Sequence, residues 1–334
     1  MGFLAKKERV SLEINRIGLL TSGGDAPGMN AAIRAVVRTA CANKIETLGI
    51  RRGYNGLING DVTELGHRDV KGLNNAGGTI LYTARSPEYN TEEGVQKAAK
   101  TCKYLGIDAI VCVGGDGTFR GARDLAKLGV PSIGIPATID NDIACTNYCI
   151  GFDTACNTAI EAIDKLRDTM HSHERCSLVE VMGHHAGHLA VYVGIAVGAN
   201  AILVPERTYD FQSDIADKIR RSRIQGRTHF DIIVAEGVGD IQEIAAHIKE
   251  ETGLDPRVTI LGHIQRGGAP TARDRVTAAR MGRHAVETLI AGRYNRVVSI
   301  QHGDLQDFDI DEALTMKKGL QETMYDTARI LSIG

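Results

Sequence analysis

The sequence predicts an α/β protein with mostly parallel sheets. Two observations point there. Short uncharged apolar runs alternate with stretches of helical length and helical apolar spacing, the pattern of βαβ units. Glycine is abundant, at 38 residues against 7 prolines, and it gathers where those runs and helices end, so it reads as turn chemistry.

Residues 17–20 form a first buried strand, and the loop 21–28 follows. Residues 30–40 form a helix. Ile33, Val36, Val37 and Ala40 recur on one side, while Arg34 and Arg38, four apart, share the other. Residues 49–55 read as a short strand and turn. A helix over 91–105 closes at Gly106, and the strand 108–113 runs into a second glycine loop. The helix 119–128 closes at Gly129, and the strand 131–135 ends at an acidic loop.

The pattern restarts near Phe152: helix 154–167, strand 176–182, helix 188–198, strand 201–204 and strand 230–235 with Glu236 at its end. Strand 258–261 leads into the polar loop 262–268, and 274–291 is helical. Both halves therefore carry polar loops after their strands, the edge where open α/β sheets bind ligands. The two halves resemble each other weakly, in pattern only.

A chain of 334 residues is long enough for two cores. Its 43% apolar and 24% charged content is ordinary for a soluble protein, and a net charge of −2 gives no reason to expect nucleic acid or an acidic membrane as partner. No window approaches a membrane span. An odd count of seven cysteines, with no signal peptide, fits reduced thiols in a cytoplasm. The first 13 residues are polar and basic and read as a short extension.

Three loops carry the chemistry: Thr21-Ser22-Gly23-Gly24-Asp25, Gly114-Gly115-Asp116-Gly117-Thr118, and Pro136 to Asp142 with Thr138, Asp140, Asn141 and Asp142. Consecutive glycines after a strand let several backbone N–H groups face one anion, and the next helix adds its positive end. The same glycines could simply make tight turns. Neither loop is a Walker A element or a dinucleotide fingerprint, so charge must be neutralised by a metal ion and arginines. Asp116, Asp140 and Asp142 can hold Mg²⁺ or take a proton, although an aspartate alone can also cap a turn. Arg85, Arg175, Arg257 and Arg266 stand near strand boundaries, where a guanidinium can grip phosphate or serve as one half of an ion pair. His263 could donate to a phosphate or sugar oxygen. His184 and His188 have a helical metal spacing without the glutamate or third ligand of a zinc motif. Cys145-x3-Cys149 lacks a second pair.

These segments resemble the bacterial-type ATP-dependent 6-phosphofructokinases. The resemblance is carried by 20–34, Val113–Gly114-Gly115-Asp116-Gly117-Thr118, 136–142, Val179-Glu180-Val181-Met182-Gly183 and 261–268, and spans about 15–330. It implies two Rossmann-like three-layer domains with the active site in the cleft between them: 1–152 with 265–315 for ATP, and 153–264 with 316–334 for fructose 6-phosphate. It implies that Gly24, Tyr54, Arg85, Ser86, Asp116, Gly117 and Thr118 hold ATP, and that Asp116 and Asp142 hold Mg²⁺. Asp140 is then the base for the C1 hydroxyl, and Thr138 positions the transferred group. Asp142, Met182, Gly183, His184, Glu236, His263 and Arg266 surround the sugar phosphate. Arg175 and Arg257 are expected to reach its 6-phosphate from a neighbouring subunit of a homotetramer.

Members that use pyrophosphate carry Asp where this chain has Gly117 and Lys where it has Ala137, so both positions look like the ATP type. There are departures. His184 replaces the usual Arg after Met-Gly, which could cost about 2 kcal/mol of charge-assisted contact. His188 replaces an Asp, and Asn90 replaces an Arg near adenine. Arg34, Arg38 and Arg167 match the family's effector-site arginines and Arg227 is a candidate to stand in for a lysine there, but His67 and Asn200 replace an Arg and an acidic metal ligand. Weakened or absent activation by ADP is the expectation. A pyrophosphate-dependent or altered-acceptor kinase, and a ligand-binding paralogue without turnover, are the rival readings.

Overall fold

The computed structural model describes residues 13–332; the basic extension lies outside them up to residue 12. The first half runs β1 (Arg16–Thr21), α1 (Met29–Ala42), β2 (Glu46–Ile50), α2 (Gly53–Asn59), β3 (Val62–Glu64), α3 (Glu92–Tyr104), β4 (Ala109–Gly114), α4 (Asp116–Lys127) and β5 (Ser132–Pro136). Next come α5 (Phe152–Ser172), β6 (Cys176–Val181), α6 (His188–Val197), β7 (Ala201–Leu203), α7 (Asp217–Ile224), β8 (Phe230–Ala235), α8 (Ile241–Thr252) and β9 (Arg257–Ile260). The chain closes with α9 (Ala272–Ile290), β10 (Arg296–Gln301), β11 (Asp304–Asp309), α10 (Ile310–Thr315) and α11 (Glu322–Leu331).

Two sheets form. One has the order β11-β10-β5-β4-β1-β2-β3, and the other β7-β8-β6-β9. The five central strands of the first are parallel, with antiparallel β3 and β11 at its edges. The second is parallel throughout. The mostly parallel α/β class read from the sequence is therefore correct.

Side chains alternate across each strand and sort the core into layers. On β1 and β4, Ile17, Leu19, Val111 and Val113 face α1 and α9, whereas Leu20, Ile110 and Cys112 face α2, α3 and α4. In the second sheet, Val179, Val181 and Ile233 face α5 and α6, whereas Leu178, Ile232 and Val234 face α7 and α8. The α1/α9 and α5/α6 layers meet, so one apolar core is continuous from sheet to sheet.

One segment differs from its expected form. Residues 49–55 hold the end of β2 and then the start of helix α2, which a left-handed Arg52 (φ 58°) introduces with no side-chain cap. Its glycines and asparagines are weak helix formers; burial of Tyr54 and Leu57, with α2 packed on α3 and the Tyr54 ring against α4, holds it instead.

Candidate active site

β5, β4 and β1 are adjacent and parallel, so the three motif loops leave one sheet edge side by side. They are stitched together. The Ser22 N–H donates to the Val113 carbonyl (3.0 Å), Thr118 Oγ1 to the Ser22 carbonyl (3.0 Å), and the Ala137 N–H to the Gly114 carbonyl (3.0 Å). Gly114 is required here: a Cβ would sit 2.4 Å from both Ser22 O and Thr118 Oγ1.

Above this edge lies a cavity of about 1170 Å³. Gly24, Tyr54, Arg85, Ser86, Asp116, Gly117 and Thr118 all line it. Asp116 opens α4 in its first turn, where the helix presents free N–H groups. Gly117 has nothing within 4 Å of a Cβ position, so it faces open cavity. Tyr54 supports the wall from beneath. It stacks on Tyr89 (4.1 Å between centroids), and its hydroxyl donates to the Thr118 carbonyl at 2.5 Å. Thr118, 3% exposed, spends its hydroxyl on Ser22 and its carbonyl on Tyr54, which leaves its N–H, in the first turn of α4, to face a ligand. Arg120 is a cavity cation not anticipated from the sequence. It follows Asp116 by one helical turn, and its charge opposes the rise in the Asp116 pKa.

Thr138, Asp140 and Asp142 line the same cavity. The Asp140 N–H donates to Thr138 Oγ1 (3.2 Å), which in turn donates to Asp140 Oδ2 (3.3 Å). Asp140 Oδ1 is buried and has no partner. Burial, then the neighbouring Asp142 charge, push the Asp140 pKa up to about 6, with Arg266 pulling the other way and Glu236 adding to the rise. Burial and Asp142 also raise Asp116.

The facing wall comes from the second sheet, where β8, β6 and β9 are likewise adjacent. Gly183 makes a tight turn (φ 142°), and the His184 N–H donates to Glu236 Oε1 at 2.7 Å. The His184 side chain lines the cavity. Met182 is buried, and its N–H donates to the fully buried Gln265 side chain (3.3 Å), another residue missed in the sequence. Gln265 anchors the short 3₁₀ turn Gly262–Arg266, which exposes His263 and sends Arg266 into the cavity. Arg266 Nε is buried without a partner. His188 is buried beneath this wall; burial and then Lys318 hold it down to about 4, so it is neutral near pH 7.

Arg175 and Arg257 are not brought to this cavity. Arg175 precedes β6 and Arg257 begins β9, so both lie at the opposite edge of the second sheet, near Asp255. Of the effector candidates, Arg34 and Arg38 lie one turn apart on α1, and Arg38 Nε is buried and unpaired. Arg167 is committed inside the chain: Nε bonds Asp231 at 2.9 Å and its other end bonds the Val197 carbonyl. Asn200 exchanges backbone and side-chain bonds with the same Asp231. Arg227 is exposed in the loop before β8.

No cluster of three or more His, Cys, Asp or Glu poised for a metal occurs among the described residues. Asp116 and Asp142, within electrostatic reach of each other, fit an ion held by one or two carboxylates plus substrate phosphates, which is the habit of Mg²⁺.

Fold and cavity together define an α/β protein with a phosphoryl-transfer cleft between two mostly parallel sheets. A phosphofructokinase family model matches residues 16–289. The ATP-dependent 6-phosphofructokinase of Clostridium botulinum (strain Loch Maree / Type A3) is 53% identical over 316 residues, covering 95% of this chain and 99% of its own. That of Clostridium acetobutylicum is 52% identical with the same coverage. Among solved structures, phosphofructokinase from Saccharomyces cerevisiae superposes with a TM-score of 0.86 at 33% identity. It covers 96% of this chain, which spans about half (48%) of the yeast chain. The pyrophosphate-dependent enzyme from Marinobacter aquaeolei, 20% identical over 96% of this chain and 92% of its own, shares the fold with a TM-score of 0.83. The chain belongs to the phosphofructokinase family.

Proposed function

We propose that this chain transfers the γ-phosphoryl group of ATP to the C1 hydroxyl of fructose 6-phosphate, giving fructose 1,6-bisphosphate and ADP. The observation that carries the reading is the unpaired Asp140 oxygen. It lies in a cavity whose one wall is glycine loops and helix start, and whose other side carries His184 and Arg266, with Glu236 behind them bonded to the His184 N–H.

Residues 1–152 with 265–315 bind ATP, and 153–264 with 316–334 bind the sugar phosphate. The glycine loops, Arg85 and Ser86 cradle the nucleotide, with Tyr54 bracing Thr118. Asp116 and Asp142 hold Mg²⁺, which when bound neutralises charge on the phosphates. Asp140 takes the proton from the C1 hydroxyl as that oxygen bonds to phosphorus and the bond to the β-phosphate oxygen breaks. A carboxyl titrating near 6 is mostly ionised at pH 7 and still basic enough for that task. Thr138 fixes its orientation and positions the transferred group. Met182, Gly183, Glu236, His263 and Arg266 seat the sugar.

Arg175 and Arg257, remote from their own cavity, serve the 6-phosphate in a neighbouring subunit of a homotetramer. The enzyme acts in the cytoplasm, a reducing compartment that suits its seven free cysteines, six of them buried; no helix among the described residues is long and apolar enough to cross a membrane. Initial rates with ATP, GTP and pyrophosphate against a panel of sugar phosphates test the reading. Activity confined to pyrophosphate, or to another acceptor, would overturn it.

A further inference from the structure

Between α10 and α11 the chain runs as an extended strap over 316–321. α10 packs on α4 in the first half, and α11 packs on α6 in the second, so the strap passes from one half to the other. On the way it sends Lys318 against the loop that follows Asp142. Lys318 Nζ donates to the Ile143 carbonyl (3.3 Å) and the Thr146 carbonyl (2.9 Å), the two ends of one turn.

The other side of that turn is fixed independently. The Ile300 N–H on β10 donates to Thr146 Oγ1 (3.0 Å), and the Asn147 N–H to the Ile300 carbonyl (2.9 Å). Asn141, left-handed at φ 51°, accepts from the Cys149 N–H at 2.9 Å. The loop bearing Asp140 and Asp142 is thus held by neutral groups on the β10 side and by one cation on the strap side. That ammonium is within electrostatic reach of Asp142. A neutral donor could satisfy the two carbonyls; only a cation also attracts the Asp142 carboxylate.

We propose that Lys318 is a positioning residue for phosphoryl transfer, fastening the strap between the two halves to the loop that carries Asp140 and Asp142 and presenting both carboxylates to the cleft. The proposal rests on the roles given to those aspartates above. Lys318 does not line the cleft; it acts through the backbone of 143–146 and through its charge. Misplacing a reacting group by about 1 Å costs on the order of 10²-fold in rate, so the effect belongs in kcat.

The test compares the full-length wild type with Lys318→Met, Lys318→Gln, Lys318→Arg and Asp140→Asn. The readouts are kcat, KM for each substrate, melting temperature, and calorimetric binding of fructose 6-phosphate. Lys318→Met is expected to lose roughly 10²-fold in kcat with both KM values and sugar-phosphate affinity within a few-fold. Lys318→Arg, which keeps the cation, is expected to recover most of that loss. Lys318→Gln keeps a donor without the charge and is expected to stay low; it also serves if Lys318→Met does not fold. Lys318→Gln turning over like wild type, or Lys318→Arg falling as far as Lys318→Met at equal melting temperature, overturns the proposal. If Asp140→Asn also retains full turnover, the fault lies instead with the underlying assignment of Asp140.

Discussion

The guanidinium of Arg266 occupies the space beside Gly24: a Cβ on Gly24 would lie 1.9 Å from Arg266 Nη1. A loop of the first sheet and a turn after the second thus touch at the mouth of the cleft. Gly24 has no positive φ, so an alanine meets no backbone strain, only the movable end of a long side chain. Gly24→Ala should leave stability within about 0.5 kcal/mol while displacing Arg266. The expected kinetic result is a raised KM for fructose 6-phosphate and a fall in kcat/KM. An unchanged KM would show that Arg266 does not seat the sugar phosphate.

Gly117 faces open cavity, and an aspartate there would project a negative charge into the space proposed for the nucleotide. Gly117→Asp should raise KM for ATP by about tenfold or more, because one unmatched charge in a partly buried site costs on the order of 1–3 kcal/mol. Steady-state kinetics with varied ATP check this. An ATP KM like the wild type's would remove Gly117 from the nucleotide site.

Asp140 couples activity to stability. Its folded pKa, about 6, lies above the unfolded 3.8. The protonated carboxyl therefore suits the fold. Its stabilising contribution is complete below pH 3.8 and is lost as pH rises through about 6, by on the order of 1–3 kcal/mol. Asp140→Asn should raise the melting temperature of the ligand-free protein at pH 7.5, with the gain vanishing near pH 4. An equal gain at both pH values would contradict the burial of this group.

Asp274 on α9 is fully buried and ties the acidic loop to the start of α5. Its two oxygens accept from the Tyr148 hydroxyl (2.5 Å), the Gly151 N–H (2.8 Å), and the Thr154 N–H (2.9 Å) and hydroxyl (2.5 Å). Asp274→Ala strands these donors and should cost about 3 kcal/mol or more. Denaturant unfolding measures it, and a loss under about 1 kcal/mol would mean that water or a neighbour takes over the bonds.

Two residues expected at an effector site are already engaged within the chain: Arg167 with Asp231, and Asn200 with the same aspartate. Titrating ADP at subsaturating fructose 6-phosphate should give little or no activation. Strong activation with loss of sigmoidality would reject that expectation.

Most of the buried parallel strands were legible because each is a short apolar run bounded by glycine, as at β1, β4 and β8; β10 (Arg296–Gln301), its run interrupted by Ser299, escaped that reading. The three motif loops were legible for the same reason. What escaped the sequence depends on contacts between distant segments. β11 reads Asp-Leu-Gln-Asp-Phe-Asp, an edge strand whose acids look like loop until Asp307 meets Arg293, Arg296 and His284. α2 lacks helix formers and is held by packing. Gln265, Asp274 and Lys318 are single polar residues that each bond a partner 80 or more positions away in the chain, so no local pattern marks that role. Arg120 carried a signal, its four-residue spacing from Asp116 on one helix face.

The central assignment, Asp140 as the base facing the C1 hydroxyl, is tested most directly by the steady-state kinetics of Asp140→Asn with ATP and fructose 6-phosphate. The expected result is a kcat about 10²–10⁴-fold below wild type, with both KM values within a few-fold. A kcat near that of the wild type would contradict it.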